Sequence, residues 1–190
     1  MENLKLEFNI NHYIDYINNP INRDKTFELM DGQIVMSGGA SSNHHRISGY
    51  IFNKIYNFLE SKQCEVFQDI NFYLFKDSIE NCHNVFQPDI IIGCDKSKMT
   101  NKGYEGIPEF VVEVVSKSTA QYDYSFKCSR YMRFGVKEYW IVDSYADQIL
   151  VYTNTDLVKI KRYTFEDVIT LHTFDGLSID FSEILKLIGE

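Results

Sequence analysis

The chain is short of the residues that mark fibrous or disordered proteins. It has three prolines, ten glycines and one tryptophan in 190 residues, which excludes collagen-like, proline-rich and low-complexity compositions. It has no apolar run near the ~18 residues that a membrane-spanning helix needs. Its start, Met1-Glu2-Asn3-Leu4-Lys5, lacks the basic and apolar segments of a secretion signal, so a cytoplasmic location is expected. The four cysteines, Cys64, Cys82, Cys94 and Cys128, contain no C-x-x-C pair. Neither a zinc site nor a disulfide framework follows from that spacing, and all four are expected as reduced thiols.

What is present is a globular composition: 44% hydrophobic and 24% charged, with 14 Phe and 13 Tyr. This is enough to build one core. Without repeats or linker-like stretches, the expected organisation is an accessory helix and loop over residues 1–25, then one domain over 26–190. The net charge is -8, but residues 96–137 carry +4 and the remainder -12. That asymmetry fits either a nucleic-acid footprint or an ordinary solvated surface.

Local patterns give the element order. Thr26 to Met36 reads as a hairpin turning at Asp31-Gly32, a pair suited to a type I′ turn. Pairing across it puts Phe27, Leu29, Ile34 and Met36 on one face, and Glu28, Met30, Gln33 and Val35 on the other. From His44 to Ser61, apolar residues at 47, 51, 55, 58 and 59 follow the helical period. Strands are expected over Glu65–Phe75, Phe86–Gly93 and Pro108–Val115. A second helix, with a capping box at Ser118–Gln121, runs to Gly135. A strand meander follows over Glu138–Val142, Gln148–Thr153 and Leu157–Tyr163, with turns at Ser144–Asp147 and Asn154–Asp156. The fold class expected is α/β or α+β, a mixed sheet flanked by helices.

Two carboxylates stand out. Asp89 heads the apolar run Ile90-Ile91-Ile92, and Glu113 interrupts Phe110-Val111-Val112-Glu113-Val114-Val115. An ionised carboxylate in such a run costs several kcal/mol (order of magnitude) unless it is paired or metal-bound. Either compensation is open: an ion pair with a nearby Lys or Arg, or a shared hard cation such as Mg²⁺.

These residues carry a resemblance. F-E-L-M-D-G-Q-I-V at 27–35, the His44 helix start, Q-P-D-I-I-I at 87–92, V-V-E-V-V-S-K-S-T at 111–119, D-x-x-x-K-x-x-x-Y at 123–131 and G-V-K-E-Y-W-I-V-D at 135–143 resemble the Uma-type restriction-endonuclease family. That family lies within the PD-(D/E)XK phosphodiesterase superfamily, and the resemblance covers roughly Thr26 to Tyr152. It implies a restriction-endonuclease-like mixed sheet with a four-stranded core, and metal-dependent cleavage of nucleic acid. In the superfamily signature a lysine stands two residues after the second acid, where this chain has Val115. The resemblance places the lysine on the following helix instead, at Lys127. Gln33, where relatives often carry an acid, is left outside the site.

The resemblance implies Glu28, Asp89, Glu113 and Lys127 as catalytic residues. Asp89, Glu113, the Val114 carbonyl and Glu28 would hold Mg²⁺, with Mn²⁺ as a substitute. Lys127 would orient the water or face the charge that develops on phosphorus. The competing reading of Lys127 is an i,i+4 ion pair with Asp123 on an exposed helix face. His44 reads by itself as an exposed polar residue, a local hydrogen-bonding group or a phosphate contact, and Tyr139 and Trp140 read as core or interface residues. Two functions from different classes stand: a Mg²⁺-dependent DNA endonuclease acting as a homodimer, or a catalytically silent nucleic-acid-binding or regulatory module of the same fold. A dimeric structural protein whose carboxylates only close ion pairs is a third.

Overall fold

The computed structural model describes residues 7–155 and 158–189. The first six residues, and Asp156 and Leu157 in the expected turn and strand start, lie outside the described residues. The chain begins with α1 (Ile10–Ile17), whose N-cap Asn9 accepts from the Asn11 and His12 amides. Next come the hairpin β1 (Phe27–Met30) and β2 (Gln33–Met36), then α2 (Ser42–Leu59). The hairpin register is the expected one, with Phe27 opposite Met36 and Glu28 opposite Val35. Asp31 and Gly32 both take positive φ, 45° and 73°, as a type I′ turn requires.

Two stretches expected as single strands are each divided. Glu65–Phe75 breaks into β3 (Glu65–Gln68) and β4 (Phe72–Tyr73), separated by Asp69 at a φ of 51°. Phe86–Gly93 falls within β5 (Val85–Phe86) and β6 (Ile90–Gly93), parted at Gln87-Pro88, where proline has no N–H to give to a ladder. The halves belong to different sheets. After the short pair β7 (Met99–Thr100) and β8 (Gly103–Tyr104) come β9 (Phe110–Val114), a π-helical segment Tyr122–Lys127, and α3 (Cys128–Phe134). The expected capping box at Ser118–Gln121 does not form. Ser116 Oγ accepts the Thr119 amide instead, so the chain turns earlier than the motif suggested. The meander β10 (Glu138–Asp143), β11 (Gln148–Asn154) and β12 (Val158–Tyr163) is followed by β13 (Val168–Thr170), β14 (Ser178–Asp180) and α4 (Phe181–Ile188).

Among the described residues, one six-stranded sheet runs β2-β1-β5-β4-β8-β7 and a second runs β12-β11-β10-β9-β6-β3; β13 and β14 pair separately. The second sheet is mixed, because β9 and β10 are parallel while their other neighbours are antiparallel. It is wider than the four strands implied by the resemblance. Alternation along β9 sends Val112 and Val114 to the side packed by α2 and α4. Val111 and Val115 go to the opposite side, packed by α3. Glu113 faces that second side, and Trp140 and Tyr139 are fully buried on opposite sides.

The cysteine expectation is corrected for one pair. Glu65 of β3 stands opposite Gly93 of β6, which makes Cys64 and Cys94 the next cross-strand neighbours, and their sulfurs are joined. Pairing of the strands, rather than sequence spacing, brings them together. Cys82 and Cys128 are free and buried.

The bridge joins residues separated by 30 positions, and closing a loop of that size stabilises a fold by about 2–4 kcal/mol. Reduction with dithiothreitol is therefore expected to lower the denaturation midpoint of the wild type and to leave a Cys64→Ser/Cys94→Ser double variant unmoved. Identical wild-type transitions with and without reductant would show that the bond contributes nothing.

Candidate active site

At the C-terminal end of β9 the chain forms a cleft of about 300 Å³ lined by Glu28, His44, Asp69, Asp89, Glu113, Val114 and Lys127, among others. All five residues expected in the site from sequence line it. Each comes from a different structural constraint. Glu28 is on β1, in the first sheet, and Glu113 is on β9, in the second. Asp89 sits at the break where the chain passes from β5 to β6. Lys127 closes the π-helical segment, a wide turn of the kind found often at functional sites.

The centre is the Lys127 ammonium. Nζ lies 3.0 Å from Glu28 Oε1, 3.0 Å from Glu113 Oε1 and 3.4 Å from Asp123 Oδ1. The exposed-face reading of the Lys127–Asp123 pair is therefore corrected. The i,i+4 contact exists, but the side chains are only 4% and 2% exposed, and two more carboxylates share the cation. Tyr131, one turn on, donates to Glu113 Oε1 at 2.9 Å. The Gln87 amide donates to Glu28 Oε1 at 2.8 Å, and Thr119 Oγ1 to Asp123 Oδ2 at 3.1 Å.

Asp89 is held separately. Its Oδ2 accepts the Val114 amide at 2.6 Å, and its Oδ1 is 3.1 Å from His44 Nε2. The sequence reading of His44 as an exposed polar residue is thus replaced by a half-buried partner of Asp89. Ser41 caps α2 and accepts the His44 amide, which fixes the ring at the helix start. Asp69 and Asp123 were not singled out as site residues. Asp69 is placed by its left-handed turn, which β-strand pattern does not reveal, whereas the 123–127 spacing did signal Asp123.

Burial sets the protonation balance. Desolvation works against a charged Lys127, but Glu113, Glu28 and Asp123 outweigh it and hold its pKa well above the ordinary lysine value. Desolvation raises Glu113 well above the usual carboxylate range, only partly opposed by Lys127. It also raises Asp123 to about 6. For His44, burial disfavours the charge, yet the hydrogen bond it donates to Asp89 and the negative charge of that carboxylate prevail and the pKa rises. Four carboxylates thus face one ammonium and one imidazole, an excess of negative charge that accepts protons or a further cation.

In kind, the oxygens of Asp89, Glu113 and the Val114 carbonyl are hard donors that fit Mg²⁺, which takes one or two carboxylates and completes its shell with water and phosphate. As the side chains stand, no three His, Cys, Asp or Glu among the described residues are grouped to hold a metal. Lys127 and His44 occupy the carboxylates instead. The donor set fits a two-carboxylate site rather than an all-protein cage.

Three of the eight cations in the basic window over residues 96–137 are engaged by acids. Lys127 is buried among acids, Arg130 is bonded to Asp31, and Lys96 pairs with Glu65.

A fold of this layout is shared with a solved structure, a putative nuclease belonging to DUF820 from Anabaena variabilis. The two agree with a TM-score of 0.69 over 85% of this chain and 90% of that one, at 13% identity. The two chains therefore share a fold, a mixed sheet flanked by helices. The profile of the Uma2 family, described as a putative restriction endonuclease, matches residues 11–182, and the chain belongs to that family. Two uncharacterized Synechocystis proteins are similar. One, slr1290, is 32% identical over 68% of this chain and 66% of its own length, just under two thirds. The other, sll1609, is 25% identical over 64% of this chain and 68% of its own length.

Two outcomes test the electrostatics. Lys127→Met leaves three buried carboxylates without their cation and is expected to cost about 3–5 kcal/mol. The cost should shrink in mild acid, where protons replace the ammonium; a loss independent of pH would contradict the clustered arrangement. For Asp123 the folded pKa lies above the unfolded one, so its contribution favours folding at low pH and falls away as pH rises from 3.8 through about 6. Over that interval the wild type should lose stability relative to Asp123→Asn in urea titrations, and parallel curves would refute the shift.

Proposed function

We propose that this protein is a Mg²⁺-dependent endonuclease that hydrolyses DNA phosphodiester bonds and works as a homodimer. The observation that carries the reading is the Lys127 ammonium, held between Glu28 of one sheet and Glu113 of the other, inside the cleft that also contains Asp89. Family membership supports the nuclease class. The lysine arrives from a helix rather than from the strand of Glu113, and a side chain of that length can bring its charge beside the strand's carboxylate from there.

Asp89 and Glu113, with the Val114 carbonyl, would hold Mg²⁺, and Glu28 would join directly or through water. Bound there, the ion supplies Lewis-acid polarisation of the phosphoryl oxygen and a lowered pKa for the attacking water. Lys127 faces the negative charge that builds as water adds to phosphorus and one ester P–O bond breaks. Glu28, Glu113 and Asp123 keep that ammonium charged and fixed, which removes the cost of reorganising it during reaction. His44 and the Val114 amide hold the Asp89 carboxylate in one orientation. The catalytic face itself is acidic, so the cation would also offset repulsion of the substrate phosphate. A two-fold dimer would present two such clefts, one for each strand.

Single-turnover cleavage of plasmid and single-stranded DNA tests this. Activity is expected with Mg²⁺ or Mn²⁺ and none with excess EDTA. Asp89→Asn and Lys127→Ala should each lower the rate by about 10²–10³, with DNA affinity in Ca²⁺ falling much less. Undiminished cleavage in EDTA would refute the mechanism. Binding without cleavage of any substrate would make the protein a silent nucleic-acid-binding module.

A further inference from the structure

We propose that Tyr145 and Lys117 form a nucleotide platform on the rim of the cleft. An unpaired base of the substrate stacks on the Tyr145 ring, and the phosphate beside it meets the Lys117 ammonium. The inference rests on the nuclease reading and adds to it a substrate class: strands with unpaired nucleotides near the cleaved bond.

Topology puts the two residues beside the chemistry. β9 and β10 run parallel with Val114 opposite Val142, so their C-terminal ends lie side by side. Val114 lines the cleft, and the turn carrying Tyr145 follows β10 at that same end. Lys117 lies between Ser116 and Thr119, both lining residues. Its neighbour Ser118 packs so closely on Gly38, in the opposite wall, that a Cβ there would collide with the serine hydroxyl.

The ring is exposed and the turn beneath it is fixed. Tyr145 is 56% exposed, whereas most aromatic residues here are buried or half-buried. Asp143 Oδ1 accepts the Tyr145 and Ala146 amides at 2.9 and 3.0 Å, and Oδ2 accepts the Tyr124 hydroxyl at 2.7 Å. Gln148 donates to the same hydroxyl, and Asp147 accepts the Phe165 amide. Tyr124 belongs to the π-helical segment that ends in Lys127, so its hydrogen bond to Asp143 ties the turn to the segment that carries the buried ammonium. A platform needs such a fixed base, because a mobile ring must be ordered at the moment of binding.

Lys117 supplies the charge. Its Nζ is 5.1 Å from the Tyr145 ring centroid. Among the described residues it forms no ion pair, unlike Lys96, Lys127 and Arg130. The other cation–aromatic contacts, Lys54 on Tyr50, Lys62 on Phe58 and Arg130 on Phe126, join residues four apart in sequence. Lys117 and Tyr145 instead join two separate loops at the cleft mouth. An aromatic face beside an unpaired cation matches a base and its phosphate, and sequence-tolerant stacking of this kind is how single strands are held. A base inside a duplex cannot present its face.

The test is equilibrium binding in Ca²⁺ of a short labelled poly-dT strand and a blunt duplex to the full chain and to Tyr145→Ala, Tyr145→Trp and Lys117→Ala. All three substitutions are at exposed positions, so unchanged thermal midpoints are expected and checked first. Tyr145→Ala should weaken single-strand binding about 5–100-fold and duplex binding far less, while Tyr145→Trp retains it. Lys117→Ala should make the salt dependence on the single strand shallower by about 0.7 in slope. Wild-type binding with no loss in Tyr145→Ala, or equal loss in Tyr145→Ala and Tyr145→Trp, overturns the platform and leaves the nuclease reading standing. A wild type that binds neither DNA overturns both.

Discussion

The Lys127 ammonium is the contact on which the rest of the arrangement depends. Three elements meet through it: β1 of the first sheet through Glu28, β9 of the second through Glu113, and the π-helical segment through both Asp123 and Lys127 itself. Taking these charges out of water costs several kcal/mol per ion (order of magnitude), which close pairing and surrounding hydrogen bonds must offset. Tyr131, Gln87 and Thr119 provide those bonds. A surface pair would be worth under about 1 kcal/mol and would specify little. A buried cluster penalises any packing that separates its members, so it orients the two sheets relative to the helix as well as poising a charge.

The same geometry explains why the chain breaks where it does. The segments around Asp69 and Gln87-Pro88 each cross from one sheet to the other, and both crossings line the cleft. Asp69 makes its turn with a positive φ, and Pro88 interrupts a ladder. At the second crossing the Gln87 amide, freed from strand pairing, binds Glu28, and Asp89 turns its carboxylate to the Val114 amide. The backbone irregularities are therefore part of how the acids are placed. Around this centre the apolar packing is conventional: Ile47, Ile51 and Ile55 of α2 cover one side of the second sheet, and Cys128 and Tyr131 of α3 the other.

Much of this could be read from the residue order. The hairpin register follows from Asp31-Gly32 and the alternation around it, because a two-residue turn permits one pairing. The α2 face follows from its period, and the Gly135 stop from the end of an apolar run. Asp89 and Glu113 could be singled out because a carboxylate inside a β-branched run demands compensation. The mixed sheet with flanking helices follows from the element order, and Lys127 follows from resemblance to the Uma-type pattern. Apart from the element order and the resemblance, these are local signals, carried by neighbours within a few residues.

What only the tertiary structure decided is which distant groups supply that compensation. Whether Lys127 pairs with Asp123 in water or with three carboxylates out of it depends on burial, which the 123–127 spacing does not encode. Cys64 and Cys94 meet only because β3 and β6 pair in one register, and 30 intervening positions give no hint of it. His44 becomes a partner of Asp89 only when the start of α2 is brought to the end of β9. Three cations of the positive window over residues 96–137, Lys96, Lys127 and Arg130, are likewise taken up by carboxylates from other segments of the fold. Sequence periodicity sets which face a side chain leaves from, and pairing between remote segments sets what it meets.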